Sequence, residues 1–456
     1  MSETKVTKKI DKSKLLFTNR ALVTLIIPLI VEQFLAVLVG LADSIMIANV
    51  GEAAVSGVSL VDQIMLLFIS LFSALATGGA VIAGQYLGMK KEKEACKAST
   101  QLVWFITISA IVIMALIYAG KYLILHVIFG PIASDVRANA NIYLMIVTAS
   151  IPFIALYNGG AAIFRAQGNS EISMRISILM NIINVGGNAI LIYGFHRGTE
   201  GVAIPTLASR MFAAIAVIVL LLKPKYQLHI ERTFRYKPDG RMIRCILSIG
   251  VPNGLENSMF QIGKILVLSL VATFGTYAIT ANAVSSVIAT FEILPGMAIG
   301  LGMTTVISRC IGAGEIQQAK YYTRKLMLVT YLGIWIFNLI TLVALPLIIK
   351  AYHLSDVTAA ETIKIMIFHT VSCMTIWPLS FALPNTLRAA GDAQITMWIS
   401  IASMWLFRIG CSFLLGRYFG LGVFGIWVAM VIDWCVRAIF MVLRYLSGRW
   451  KNKMIL

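Results

Sequence analysis

Charge is what this sequence has least of. Of its 456 residues 13% are charged, against 59% that are hydrophobic, whereas a water-soluble globular chain is nearer a quarter charged and half apolar. Mean hydropathy is +0.86. The few charges cluster, so residues 102–120 and 326–349 carry none. A run of about 20 such residues crosses the hydrocarbon layer as a helix. The short alternating segments that an outer-membrane barrel needs are missing. Six cysteines (Cys96, Cys245, Cys310, Cys373, Cys411 and Cys435) show no CxxC spacing, so neither a disulfide framework nor a zinc site is indicated. Five histidines (His126, His196, His229, His353 and His369) form no HExxH or paired pattern, which speaks against a metal enzyme. No Walker A sequence occurs, which excludes a built-in ATP motor. A GxGxxG at Gly420, Gly422 and Gly425 joins two apolar runs; it reads as a tight turn, because a dinucleotide loop follows a strand.

What is present is an all-α integral membrane protein. The apolar runs predict twelve transmembrane helices, near 21–48, 54–86, 99–120, 138–164, 171–194, 201–222, 243–272, 277–308, 321–349, 361–386, 394–416 and 422–447. Residues 1–20, with Lys5, Lys8, Lys9, Lys12, Lys14 and Arg20, look like a signal n-region. The apolar stretch that follows is too long for a signal h-region and has no small-residue cleavage site, so a retained first helix is expected. The net charge is +18, and its placement points away from nucleic acid. With the N-terminus inside, about 28 Lys and Arg fall on the cytoplasmic side and about six outside, as the positive-inside rule expects. Anionic lipids of the inner leaflet are the expected partner of that basic face. The plasma membrane, both termini cytoplasmic and a monomer complete the expectation.

The chain also repeats itself. Pro28 to Ala95 aligns without gaps on Pro252 to Ala319 at a shift of 224, placing Pro28, Glu32, Gly51, Gly78 and Gly88 on Pro252, Glu256, Gly275, Gly302 and Gly312. FRAQGNSEISMRIS (164–177) matches LRAAGDAQITMWIS (387–400) at half its positions, including Arg165/Arg388 and Gly168/Gly391. Each repeat holds six helices. An even number returns the chain to the same side, so two parallel six-helix bundles related by an axis along the membrane normal are expected. The organisation is then a tail (1–20), an N-lobe (21–222), a basic cytoplasmic linker (223–242), a C-lobe (243–447) and a second tail (448–456). Arg232 and Arg235 belong to the linker. Two bundles with a cleft between them suit alternating access about a midplane site.

Several segments carry a family resemblance in order and spacing. They are GLADSIMIANVG (40–51), AGQYLG (83–88), FRAQGN (164–169) with LRAAGD (387–392), NVGGNAILIYG (184–194), GVAIPTLAS (201–209), WLFRIG (405–410) and GIWVAMVIDW (425–434). Over essentially the whole chain the sequence resembles the multidrug and toxic compound extrusion (MATE) family. That resemblance implies twelve helices in two lobes and efflux of organic, often cationic, compounds driven by inward H⁺ or Na⁺, with no cofactor. The sequence departs from the family twice. Many members carry an Asp four residues beyond the helix-5 Asn, where this chain has Asn188 after Asn184. In the Na⁺-coupled branch a helix-7 Glu stands about one turn further from the proline than Glu256 does from Pro252.

Six acids fall well inside the predicted spans: Glu32, Asp43, Asp62, Glu256, Glu292 and Asp433. A carboxylate at the bilayer centre costs roughly 2.5–3.5 kcal/mol on insertion scales, so each needs a reason. Asp43 is the leading coupling residue. It lies roughly 22 Å along the helix from Pro28 among apolar neighbours, and such a group can carry a proton inward or bind Na⁺ when ionised. Pro28 weakens helix 1 locally, and with Pro252 it is a candidate hinge. Asn181, Asn184 and Asn188 lie within about 60° of one another on helix 5. With Thr206 and Asp43 they make an all-oxygen group suited to a hard cation, Na⁺ at Asp43 and Asn184; helix packing by hydrogen bonds is the alternative.

Glu32 shares a helix face with Asp43. Glu256, with Gln261, Glu32 and Asn282, is a candidate for the substrate cavity. Glu256 either holds a cationic substrate or the coupling ion, or pairs with Lys264. Asp433 and Arg437 stand at the i, i+4 spacing of a helix ion pair, and Arg408 is read as structural too. Asp62 and Glu292 have no assigned role.

The leading function is therefore H⁺- or Na⁺-coupled antiport of amphipathic, often cationic, organic compounds. A flippase for a lipid-linked precursor is the alternative, and it would line its cleft with basic residues. Arg210, Lys264, Arg408 and Arg437 fall in spans against six acids, which favours a cationic substrate. A membrane enzyme or receptor lacks a catalytic constellation and does not explain the repeat.

Overall fold

The computed structural model describes residues 15–231 and 237–455. Parts of the expected tails and linker lie outside the described residues, among them Lys5, Lys8, Lys9, Lys12, Lys14, Arg232 and Arg235. Among the described residues, ten helices are each long and apolar enough to cross a membrane, and two bent pairs, each counted as one span, bring the number to twelve. The first half holds α1 (Asn19–Ala48), α2 (Glu52–Gly88), α3 (Glu92–Ala119), the bent α4 (Ser134–Thr148 with Ile151–Ala166), α5 (Ser170–Gly194) and α6 (Glu200–Leu221). The second holds α7 (Gly240–Ala272), α8 (Thr276–Gly312), α9 (Ile316–Ala351), the bent α10 (Asp356–Thr375 with Pro378–Ala389), α11 (Ala393–Tyr418) and α12 (Gly422–Leu446).

Long uncharged runs make these helices, because in lipid each backbone N–H and C=O must be satisfied within the helix. Local sequence sets where they start and break. Thr18 caps α1 by accepting from the Ala21 amide, and Asp239 caps α7 through the amides of Arg241 and Met242. The sequence places single spans at 138–164 and 361–386, whereas α4 bends by 46° and α10 by 57°. In each case a proline, Pro152 or Pro378, sits in the first turn of the second segment. It has no N–H to donate to the preceding turn, and the helix breaks there. Pro28 and Pro252 lie inside α1 and α7, which continue through them.

Buried apolar residues form two large clusters, one from α1 end to α7 start and one from α7 to the chain's last turn. α1 belongs to both. Its first half, Phe17 to Leu29, packs into the second cluster, while Ile47 packs into the first. α1 runs along α5 and α8, and α2 runs along α7 and α8.

The two halves are closed against each other at the end of the bundle that carries the termini. Gly88 and Gly312, equivalent in the repeat, meet here. A Cβ on Gly312 would stand 2.0 Å from the Gln85 carbonyl oxygen, and one on Gly88 2.3 Å from that of Arg309. Gln85 Nε2 donates to the Ala389 carbonyl at 3.0 Å, and Arg309 Nε donates to the Ala166 carbonyl at 3.1 Å. Gln85 and Arg309 are repeat mates, as are Ala166 and Ala389. One contact is therefore made twice about the pseudo-twofold axis. Gly168 and Gly391 turn the chain just beyond those carbonyls at φ +84° and +98°, a region open to glycine but strained for other residues. The N-terminal segment adds to the closure: the Phe17 amide donates to the Tyr322 hydroxyl at 2.9 Å, which in turn donates to the Phe17 carbonyl at 2.7 Å.

Candidate functional site

Among the described residues, two polar regions within the helices bear on function, and they are separate. The first is in the N-terminal half, where α1, α2, α4, α5 and α6 converge. Asp43 is half-buried, and its Oδ1 accepts from Asn188 Nδ2 at 2.6 Å. Asn184 Nδ2 donates to the Thr206 hydroxyl at 3.1 Å, which itself donates to the Val202 carbonyl. Among the described residues, the amide oxygens of Asn184 and Asn188 are buried without a hydrogen-bond partner. Buried acceptors are normally satisfied, so two orphaned oxygens beside a carboxylate mark a place fit for a cation or a proton donor. Asn181 lies on the same helix, its Nδ2 also buried and unpartnered. Asp62 and Arg210 are the charged neighbours of Asp43. Asp62 accepts from the Tyr143 hydroxyl at 2.9 Å, and Arg210 donates to Ser150 at 2.8 Å. Among the described residues, no three His, Cys, Asp or Glu side chains are placed to hold a metal ion.

The second region is a cavity of about 750 Å³ between the halves, lined chiefly by α7, α8, α10, α11 and α12, with Gln33, Ser73 and Thr77 from the first half. That volume suits a drug-sized molecule. Aromatic side chains supply much of the wall: Phe260, Trp377, Phe381, Trp427 and Trp434. Glu256 and Asn282 stand on it, the latter accepting from Trp427 Nε1 at 3.1 Å. Asp43 does not.

Glu256 is not paired with Lys264, as the helix spacing had allowed. Arg388 Nη2 lies 2.7 Å from both of its oxygens. Eight residues separate Glu256 from Lys264, about 12 Å along the axis, beyond a direct pair. Glu32 is also placed differently from expectation. It turns into the N-terminal half, where Arg165 stands 3.7 Å away and Tyr157 and Ser173 donate at 3.2 and 3.1 Å. Its neighbour Gln33, about 100° round the helix, lines the cavity instead. Gln261 lies about 140° round α7 from Glu256 and does not line the cavity.

The remaining acids are held by the protein. Asp433 is fully buried, accepts from Ser403 and lies 3.6 Å from Arg437. Glu292 accepts from Thr370 at 2.6 Å and stands 2.6 Å from His369 Nδ1. Sequence reasoning passed over Arg165, Arg388, Tyr143 and His369. A signal existed for the two arginines: each repeat carries one glutamate and one arginine at matching positions. Tyr143 and His369 have no such marker.

A family model, MatE, matches residues 28–190 and again 252–414, the same halves that the internal repeat defines. The chain is 30% identical over 433 residues to the "Uncharacterized transporter YisQ" of Bacillus subtilis strain 168, covering 93% of this chain and 94% of that one. It is 24% identical to the "Probable multidrug resistance protein NorM" of Thermotoga maritima, covering 96% and 94%. Among solved structures, one described as the "Outward-facing conformation of a multidrug resistance MATE family transporter of the MOP superfamily" superposes with a TM-score of 0.88 at 20% identity, covering 95% of this chain and 96% of that one. Another, of "MATE in the bent conformation", gives 0.86 at 19% identity with coverage of 95% and 96%.

Proposed function

Because this chain belongs to the MATE family of multidrug transporters, we propose that it is a secondary active exporter, exchanging inward H⁺ or Na⁺ for amphipathic organic compounds. The observation that carries the reading is the separation of Asp43, with its orphaned amide oxygens, from the cavity between the halves. An ion binds at one place and cargo at another, so neither needs to displace the other by contact. α1 joins the two: its first stretch packs in the second core, Pro28 lies near the end of that stretch, and Asp43 sits further along the same helix. Ion binding at Asp43 bends α1 at Pro28 and works against the closed end. The lobes 21–222 and 243–447 rock as bodies about the cavity, with Pro28 and Pro252 as hinges.

The same reading places the protein in the plasma membrane as a monomer, with both termini and the 223–242 linker on the cytoplasmic side, in keeping with the basic residues there. The closed end then faces the cytoplasm and the cavity faces outward. The cationic cargo expected from six acids draws little support from the cavity, since Glu32, Asp62, Glu256, Glu292 and Asp433 are each held by protein donors. A flippase for a lipid-linked precursor is the second reading, favoured by four cationic side chains on the cavity wall.

The test is efflux of ethidium or norfloxacin from energised vesicles under ΔpH alone or ΔNa⁺ alone, with Asp43→Asn beside the wild type. Transport driven by one gradient and lost in a folded Asp43→Asn supports the exporter and names its ion. Movement that neither gradient drives, or normal transport by Asp43→Asn, removes the coupling assignment.

A further inference from the structure

The charge on the cavity wall is mostly positive. Among the described residues the wall presents Lys264, Arg388, Arg408 and Arg437, against a single carboxylate, Glu256. That carboxylate is closed by Arg388 at 2.7 Å, and Asp433, which lies 3.6 Å from Arg437, is itself fully buried behind the wall. Lys264 and Arg408 have no carboxylate within 4.0 Å among the described residues.

These two cations share one aromatic ring. Lys264 Nζ stands 5.5 Å from the centre of the Phe260 ring, and Arg408 Cζ stands 5.2 Å from it. The third, Arg437, lies 4.7 Å over Phe381, whose ring meets Phe260 edge-on at 6.4 Å. Among the described residues, the Nε atoms of Arg408 and Arg437 are buried with no hydrogen-bond partner. A ring face attracts a cation weakly, far short of the hydration it has given up. Unneutralised charge at membrane depth is costly and marks a substrate pathway. A guanidinium and an ammonium beside an aromatic plate complement the two poles of an amphipathic anion.

We propose that this cavity takes an amphipathic organic anion, its carboxylate, sulfonate or phosphate held between Lys264 and Arg408 and its apolar body laid against Phe260, Phe381 and Trp434. The anion neutralises what the protein leaves unpaired, whereas a cationic cargo would meet Lys264 and Arg408 first and be repelled. This deepens the exporter reading, on which it rests, by giving the charge of the cargo. A soluble organic anion and a lipid with an anionic headgroup present the same chemistry to these residues.

The experiment uses the full chain, purified and reconstituted, with carboxyfluorescein as the soluble anion, a fluorescent phosphatidylglycerol as the anionic lipid and ethidium as the cation. Binding of carboxyfluorescein to the wild type is expected to be tighter than that of ethidium and to weaken as salt is raised. Lys264→Gln and Arg408→Gln are each expected to lower the ratio of carboxyfluorescein to ethidium affinity about tenfold, or 1.4 kcal/mol. Lys264→Arg and Arg408→Lys, which keep the charge, restore most of it. Flipping of the anionic lipid that is lost in the same Gln variants assigns the site to a lipid. Saturable ethidium binding without carboxyfluorescein binding in the wild type overturns the proposal, as does an unchanged ratio in both Gln variants. Because binding is measured without a gradient, a protein that binds the anion but transports nothing would sink the exporter reading and leave the site standing.

Discussion

Arg388 reaches across the C-terminal half to hold Glu256 with one nitrogen 2.7 Å from both carboxylate oxygens, and the chain makes the same match once before, between Arg165 and Glu32 at 3.7 Å. The four residues are repeat mates, so the pair is a property of the duplicated unit. The two copies are unequal in support. Glu32 also accepts from Tyr157 and Ser173, while Glu256 has Arg388.

Removal of Arg388 therefore leaves a buried charge with no substitute donor. Arg388→Ala is expected to destabilise by about 3–5 kcal/mol, and Arg165→Ala by clearly less. A thermal melt followed with a thiol-reactive dye reports this directly, since Cys96, Cys310 and Cys373 are buried. Adding Glu256→Gln to Arg388→Ala should recover most of the loss. Equal melting of the two arginine variants would contradict the asymmetry.

The orphaned oxygen of Asn184 separates ion binding from helix packing. Under a Na⁺ gradient Asn184→Ala is expected to slow transport about tenfold, the value of one contact near 1.4 kcal/mol, with little change under ΔpH. A residue that merely fastens α5 to α6 through Thr206 would contribute about 0.6 kcal/mol and slow both alike. Vesicle flux under each gradient distinguishes the cases.

At Gly312 a methyl group has nowhere to go, since its Cβ would lie 2.0 Å from a backbone oxygen. Gly312→Ala is expected to part α2 from α8 at the terminal end. Spin labels at the exposed repeat mates Lys93 and Gln317 should then report a longer distance than in the wild type. Gly40, with nothing within 4 Å of an added Cβ, is the control: Gly40→Ala leaves that distance unchanged and gains up to about 1 kcal/mol of helix propensity.

Outside the membrane-spanning helices, Lys97 donates to Asp239 at 2.7 Å. That bond, with the amide of Met242, holds the Asp239 carboxyl below its usual range. A depressed carboxyl lends stability above its unfolded value, near pH 4, and loses it as pH falls through the lower folded value. The melting difference between wild type and Asp239→Asn should be constant from about pH 6 to 8 and shrink towards about pH 3. A gap that widens on acidification would contradict the pairing.

The spans were legible because each is a long uncharged run, and the two halves because a constant shift aligns Pro28–Ala95 with Pro252–Ala319. The match of Asp43 with α5 followed from three asparagines on one face, one of which, Asn188, makes the bond. The bends of α4 and α10 were written in Pro152 and Pro378, but a proline alone does not say whether a helix continues, as Pro28 in α1 demonstrates. Pairing of Lys264 with Glu256, one of the readings that the sequence left open, is ruled out by the axial rise between them. The true surroundings of Lys264, Phe260 and an arginine from α11, depend on which faces of distant helices meet. Glu292 and His369 are 77 residues apart with no counterpart in the other half, so nothing in the order of residues joins them.

The closure at the terminal end has one more implication. Gln85 grips Ala389 and Arg309 grips Ala166 on opposite sides of a single axis, with Gly88 and Gly312 touching between them. In the proposed exchange, bodies that tilt apart symmetrically to either side of that axis stretch both grips by the same amount at the same moment, so neither is expected to yield first. Release would then be all or none, leaving no half-open form for the coupling ion to slip through, a safeguard that a single fastening on one side would not give.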